Sequence, residues 1–205
     1  SAAVLLAGER TALNLAMRLS GIATATSLLV AQLEGTGVRL VDTRKTTPGM
    51  RLFEKYALRC GGGINHRFGL DDAAMLKENH LAWISDMNSA VMAIRKRAPW
   101  TSRVIIEAET VEQAEKAVLA GADAVLLDEF SPDALHALVP RLRKLSPIGV
   151  DVDSGGPGRV VLEASGVDPR ALKVYASTGI DLISTSSPIT KSSWLDFSMR
   201  FNNLC

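Results

Sequence analysis

Apolar residues recur at close to helical spacing over residues 8–34 (Leu13, Met17, Leu19, Ile22, Leu28, Leu29, Leu33), with small Ala, Gly and Ser residues between them. This pattern predicts one long, mostly buried helix. After Gly35 and Gly37 the apolar run 38–42 reads as a buried strand, and Pro48-Gly49 marks a loop before a helix over 50–60. The same grammar then repeats. Residues 73–76 predict a short strand running into Lys77, and 86–97 a helix. Residues 104–106 form a strand ending on Glu107, and Thr110 to Gln113 has the spacing of a capping box opening a helix to Leu119. Residues 124–127 end on Asp128, and Ser131-Pro132 supplies an N-cap and first helical position. Residues 160–162 lead into Glu163-Ala164-Ser165-Gly166, Asp168-Pro169 reads as another cap, and 182–183 run into Ser184 to Ser187.

Strands alternating with helices imply βαβ units and a parallel sheet. Arg44, Lys77, Glu107, Asp128, Ser165 and Ser186 all fall at or just past the C-terminal ends of successive strands, where β/α barrels collect their chemistry. Six strands are visible, fewer than a full barrel has. The expected fold is therefore α/β, an incomplete (β/α) barrel of parallel strands, with a doubly wound open sheet as the alternative.

Length and composition fit one compact catalytic domain over residues 1–205, since 47% hydrophobic and 22% charged residues are ordinary for a globular chain of this size. No apolar run reaches the roughly 18 residues of a membrane span, and the start lacks the basic region of a signal peptide, so a cytoplasmic protein is expected. Cys60 and Cys205 have no disulfide, zinc or redox spacing and read as free thiols. The opening inside an apolar, helix-like segment without Met suggests the C-terminal part of a longer protein.

Charge changes the picture. The formal net charge is only +1, yet residues 41–80 hold Arg44, Lys45, Arg51, Lys55, Arg59, His66, Arg67, Lys77 and His80. A basic cluster in a nearly neutral chain predicts a pocket for a small polyanion and argues against a nucleic-acid-binding face. Glu107 and Asp128, one βαβ unit apart, would point into the same mouth, where hard oxygen ligands suit Mg²⁺ held with a phosphorylated substrate; pairing with a nearby Lys or Arg is the other reading. Glu109 reads as a solvated helix-start acid and Glu129 as a surface residue. Residues 61–63, three glycines, follow a helix and read as its C-cap rather than a phosphate loop. Ser165-Gly166 and Ser184 to Ser187 fit a phosphate cradle, although two unrelated polar loops would look alike. His80 could serve a backbone carbonyl or a ligand.

Specific motifs then line up: Gly8-Glu9-Arg10, Leu19-Ser20-Gly21-Ile22-Ala23-Thr24, Asp42-Thr43-Arg44-Lys45-Thr46-Thr47-Pro48-Gly49, Glu54-Lys55-Tyr56, Gly61-Gly62-Gly63, His66-Arg67, Lys77-Glu78-Asn79-His80, Leu126-Leu127-Asp128 and Leu195-Asp196-Phe197. In order and spacing they resemble the quinolinate phosphoribosyltransferases. The resemblance implies an incomplete α/β barrel whose preceding sandwich domain is largely absent here. It also implies Mg²⁺ and the conversion of quinolinate and phosphoribosyl pyrophosphate to nicotinate mononucleotide, pyrophosphate and carbon dioxide. Arg44, Lys45, His66, Arg67 and Lys77 would surround the carboxylates and phosphates. Glu107 and Asp128 would meet ribose and metal, with Lys77, Glu107 and Asp128 the catalytic residues; Ser165, Gly166 and Ser186 would bind phosphate. Arg10 would reach the partner subunit's site in a homodimer. This chain departs from the family pattern at Ile105 (usually glutamate), Glu129 (usually asparagine), Val167 (the second glycine after Ser165) and Ser186 (often glycine). Asp153-Ser154-Gly155-Gly156 is a rival for the phosphate loop, and the preferred reading makes residues 148–159 an inserted loop.

Two other functions share these features: a molybdenum-uptake-associated relative with a similar barrel, and an idle barrel that only binds a phosphorylated ligand or a partner chain. Partners under the main reading are the two substrates and a second copy of the chain, with neither nucleic acid nor membrane.

Overall fold

The computed structural model describes residues 2–146, 149–150, 157–158 and 160–200. Helix α1 (Ala2–Leu33) leads into β1 (Arg39–Val41), α2 (Arg51–Cys60), β2 (Ala74–Leu76), a single turn α3 (Glu78–Leu81) and α4 (Met87–Arg97). Then come β3 (Val104–Ala108), α5 (Val111–Leu119), β4 (Ala124–Asp128) and α6 (Pro132–Leu145). A short antiparallel pair, β5 (Gly149–Val150) with β6 (Pro157–Gly158), stands apart from the main sheet. The chain continues with β7 (Val161–Ser165), α7 (Leu172–Ala176), β8 (Leu182–Ser184) and α8 (Ser187–Lys191).

Six parallel strands form one sheet in the order β1-β8-β7-β4-β3-β2, and it stays open between β1 and β2. At that gap Ile64 adds one parallel bridge to Val41. The sheet passes directly from β4 to β7, with Asp128 opposite Ser165, so residues 151–156 are not needed to continue it. Asp153 to Gly156, the rival phosphate loop, lies outside the described residues.

Side chains alternate across each strand. Ile106, Val125, Leu127, Leu162, Ala164 and Ile183 face the helices in one large core. Ile105, Ala124, Leu126 and Val161 form a separate apolar cluster on the opposite, inner face, with Met75 and Leu182 packed on it. Local signals place the helices as read: Thr110 and Gln113 form the capping box, and the Ser131 hydroxyl accepts from the Ala134 N–H with Pro132 in the first turn.

Five expectations need correction. Helix α1 begins before residue 8, and it is not mostly buried: only Gly21, Ile22, Thr26 and Leu33 are. One stripe of it packs on α2, α7, α8 and β1, while Val4, Leu5, Leu6, Leu15 and Leu28 face outward. An 18-residue window of this helix, with mean hydropathy 1.3, is long and apolar enough to cross a membrane, a property that counting apolar runs overlooked. Its packed stripe is what a helix docked on a protein body shows. Strand β7 extends to Ser165, which brings Glu163 inside the strand. Finally, Asp168 caps no helix; it folds back on the Arg170 N–H (2.9 Å) and guanidinium, and α7 starts later.

Candidate active site

Building the mouth begins with β1. Past Val41, Asp42 is fully buried and accepts from three donors: the Lys55 ammonium, the Asn65 amide (2.6 Å) and the His66 N–H (2.7 Å). Lys55 also donates to the His66 carbonyl (2.9 Å) and lies 5.0 Å from the Phe68 ring centre. Burial pushes Asp42 up and Lys55 down from their ordinary values, and the converging hydrogen bonds oppose both shifts. This pair fastens α2 and the 64–67 segment to the end of β1. Lys55 is therefore a strut beneath the pocket, and Arg59 stays outside on α2; neither belongs to the predicted basic cluster.

The turn carrying Arg44 and Lys45 is braced in the same manner. Thr47-Pro48-Gly49 closes on Met50 (Met50 N–H to Thr47 carbonyl, 2.9 Å), with Gly49 at φ +77°, as a turn with Pro then Gly requires. Buried Glu54 accepts from the Thr47 N–H and hydroxyl (2.8 Å each) and from Arg18 of α1 (2.9 Å). Arg51 donates to the Thr46 hydroxyl (3.1 Å) and Phe68 carbonyl (2.9 Å). The three glycines cap α2 as predicted, and a side chain at Gly61 would strike the Ala23 carbonyl at 2.4 Å. These motif residues hold the loop in shape.

Arg44, Lys45, His66, Arg67, Lys77, Glu107, Asp128 and Ser165 line one cavity of about 460 Å³ at the C-terminal end of the sheet. His80 lines it too, with Nδ1 accepting from the Lys77 N–H (3.1 Å), so it serves a backbone amide and not a carbonyl. Lys77 Nζ meets Glu107 Oε2 at 2.5 Å. Arg67 is tied to the Ala73 carbonyl (2.9 Å), and burial, then the neighbouring Arg44 charge, lowers it from its ordinary value. Crowding two guanidiniums in a half-closed pocket favours an anion between them. Against this wall stand the carboxylates of Glu107, Asp128 and Glu163. Glu109 is exposed as expected, yet it adds to the acid side: Glu78 foremost, then partial burial, Asp128 and Glu107 raise its pKa.

A smaller cavity of about 180 Å³ adjoins the mouth, lined by Thr43, Lys45, Ser165, Gly166, Ser186 and Lys191 among others. Gly166 has φ +70°, and a side chain there would meet Glu129 Cγ at 2.8 Å. Val167 is buried against the outer core and also borders this cavity, at a position where the family has glycine. Glu129 is exposed but holds φ +57°, a left-handed conformation that asparagine tolerates better.

Arg10 also stays outside, exposed on α1 and, like Arg51, Lys55 and Arg59 of the predicted basic cluster, lining none of these cavities. Sequence reasoning missed Glu163, Thr43 and Lys191, whereas Ser184 lies in the Ser184 to Ser187 run read as a phosphate cradle. The period of two along β7 (Val161, Glu163, Ser165) was the available signal for Glu163.

The model of the quinolinate phosphoribosyl transferase C-terminal domain matches residues 22–200. The chain belongs to this family. It is 43% identical over 197 residues to a Synechocystis protein named "Probable nicotinate-nucleotide pyrophosphorylase (carboxylating)" and 39% identical over 199 residues to the Homo sapiens nicotinate-nucleotide pyrophosphorylase (carboxylating). Each of these alignments covers 96% of this chain and 63% of the relative. The crystal structure of NadC from Streptococcus pyogenes superposes with a TM-score of 0.82 at 39% identity, covering 96% of this chain and 65% of that one. The chain thus spans slightly less than two thirds of the length of these quinolinate phosphoribosyl transferase relatives.

Proposed function

We propose that this chain is the catalytic barrel of a cytoplasmic quinolinate phosphoribosyltransferase of NAD biosynthesis. It would join quinolinate to phosphoribosyl pyrophosphate with loss of pyrophosphate and carbon dioxide, giving nicotinate mononucleotide. The observation that carries this reading is the single mouth in which Arg44, Lys45, Arg67 and Lys77 face Glu107 and Asp128. A dianionic pyridine and a polyphosphate donor both need cations, and a ribose losing pyrophosphate needs nearby negative charge.

Arg44, Lys45 and Arg67 hold the two carboxylates and place the ring nitrogen toward the ribose. His66 contributes as a donor: its Nδ1 accepts from the Arg67 N–H at 2.7 Å, which leaves the ring proton on Nε2. Glu107 and Asp128 stabilise the oxocarbenium-like ribose as the carbon–oxygen bond to pyrophosphate breaks and the bond to nitrogen forms. Ser165, Gly166 and Ser186, with Lys191 beside them, cradle the phosphate. Loss of carbon dioxide leaves an electron pair on the ring carbon, which the positive ring nitrogen and the neighbouring Lys and Arg side chains stabilise until a proton arrives.

Glu107 and Asp128 also fit a Mg²⁺ site, because Mg²⁺ is commonly held by one or two carboxylates plus substrate phosphates. Among the described residues no larger group of His, Cys, Asp and Glu could hold a metal without substrate. Mg²⁺ bound there would neutralise charge developing on the departing pyrophosphate.

Arg10, outside its own mouth, serves a partner's pocket in a homodimer. The exposed apolar face of α1 agrees with burial in an assembly. The test is product formation by the full-length protein, lost in Lys77→Ala and in Arg10→Ala separately. Mixing the two variants should restore part of the activity, since some mixed dimers hold one intact pocket. Full activity in Lys77→Ala would end the catalytic assignment, and no recovery despite proven subunit exchange would end the shared site.

A further inference from the structure

The segment 65–73 crosses the gap between β1 and β2, where the sheet stays open. All six strands of the sheet lend residues to the mouth, from Thr43 just past β1 round to Lys77 just past β2. On the open side the wall comes from this segment, through His66, Arg67 and Leu70. It is tied down at both ends. Arg67 donates to the Ala73 carbonyl, the Phe68 N–H to Asp72 and Arg51 to the Phe68 carbonyl (2.9 Å each), which leaves a short tip of Gly69, Leu70 and Asp71.

Among the described residues that line the mouth, only Leu70, Met75 and Leu126 are apolar. Leu126 and Met75 belong to the apolar cluster on the inner face of the sheet, and so form a floor. Leu70 is different: it stands at the rim and is 73% exposed. A lone exposed leucine is ordinary on an outer surface. This one borders a pocket of charged and polar groups, and most of its apolar surface stays in water until a ligand arrives. A pyridine gripped by its two carboxylates still has apolar surface to cover; the floor takes one side, and Leu70 is the apolar group available at the open side.

Water at that side would be harmful. As the carbon–oxygen bond to pyrophosphate breaks, water can form the new bond to the ribose carbon in place of the ring nitrogen. Its proton passes to solvent, and the product is ribose 5-phosphate with nothing transferred. We infer that Leu70 is a coupling residue of the reaction: it covers the pyridine at the open side of the barrel and keeps water from the ribose carbon there. The inference rests on the phosphoribosyl-transfer reading, and adds to it a residue that acts by exclusion and not by charge.

The test uses full-length protein with Leu70→Ala and Leu70→Met, measuring pyrophosphate and nicotinate mononucleotide separately at saturating quinolinate. Because Leu70 is exposed, both variants should keep the parent's Tm. The parent should release the two products in equal amounts. Leu70→Ala should release about twice as much pyrophosphate as nucleotide, or more, since admitted water hydrolyses a reactive intermediate. It should also bind quinolinate about fivefold more weakly, the effect of losing part of an apolar contact. Leu70→Met restores apolar cover with a flexible chain and should bring the two products back to near equality. Equal products in Leu70→Ala would overturn the inference whatever the affinity, and so would an excess of pyrophosphate in Leu70→Met as large as in Leu70→Ala. Failure of the parent to make nicotinate mononucleotide would instead refute the phosphoribosyl-transfer reading itself.

Discussion

The two faces of the same six strands are built to opposite rules. Toward the helices, Ile106, Val125, Leu127, Leu162 and Ile183 make an unbroken apolar layer. On the inner face, apolar Ile105, Ala124, Leu126 and Val161 give way, two residues further along their strands, to Glu107, Asp128 and Glu163. Folding energy is concentrated on one face and chemistry at the end of the other. A strand in this domain can therefore change its inner, terminal residues at small cost to stability, while its outer residues answer mainly to packing.

The buried Asp42–Lys55 pair is where this separation should break. Asp42→Ala removes the buried counter-charge of the Lys55 ammonium and the side-chain acceptor of the Asn65 amide and the His66 N–H, and losing one partner of a buried pair costs about 3–5 kcal/mol. Urea unfolding should register that loss, and quinolinate affinity should fall with it, because the same carboxylate shapes the mouth. A variant with unchanged stability would mean that Asp42 is no strut.

Leu162→Ala should show the two faces apart. Leu162 is fully buried in the outer layer, so truncation costs about 2–5 kcal/mol. Below the lowered Tm, calorimetry should find quinolinate affinity within about threefold of the parent, since less than 1 kcal/mol is transmitted across the sheet. A large loss of affinity would show that packing and site are coupled through the strand.

A smaller effect belongs to the rim. Hydrogen bonds from Arg170 hold Asp168 down to about 2, from a usual 3.8. A depressed carboxylate stabilises the fold above its unfolded pKa, so this contribution is complete above about pH 4 and is lost as pH falls toward 2. Asp168→Asn should flatten stability over that interval alone, with no change near pH 7 beyond the constant loss of the hydrogen bonds. An unchanged acid limb in thermal melts would exclude the contact in solution. Smallest is Glu129→Asn, which relieves a left-handed backbone (φ +57°) and should stabilise by roughly 0.5–1 kcal/mol in the same melts. Destabilisation would mean that the Glu129 side chain does something its exposure hides.

Much of this was legible in the chain. Six strands, their parallel order of chemistry and the mouth residues Arg44, Lys77, Glu107 and Asp128 followed from where apolar runs end. What could not be read from charge counting was the fate of each cation. Glu54 and Lys55 share the buried face of α2 with Ala57 and Leu58, at helical spacing, and that phase separates struts from ligands. Glu163 was missed because the apolar run was taken to end at Leu162, whereas the strand continues through Ser165 with every second side chain inward. The exposure of α1 was hidden for a different reason: apolar content shows that a face can be covered, and not by what.

The central claim is that the mouth recognises two carboxylates at once. It is tested most directly by titrating quinolinate and nicotinate calorimetrically into the full-length parent and into Lys45→Ala and Arg67→Ala. Losing a charge-assisted partner costs about 1.5–3 kcal/mol, so quinolinate should weaken about 10- to 150-fold while nicotinate weakens much less. Equal losses for the two ligands, or none for quinolinate, would contradict the claim.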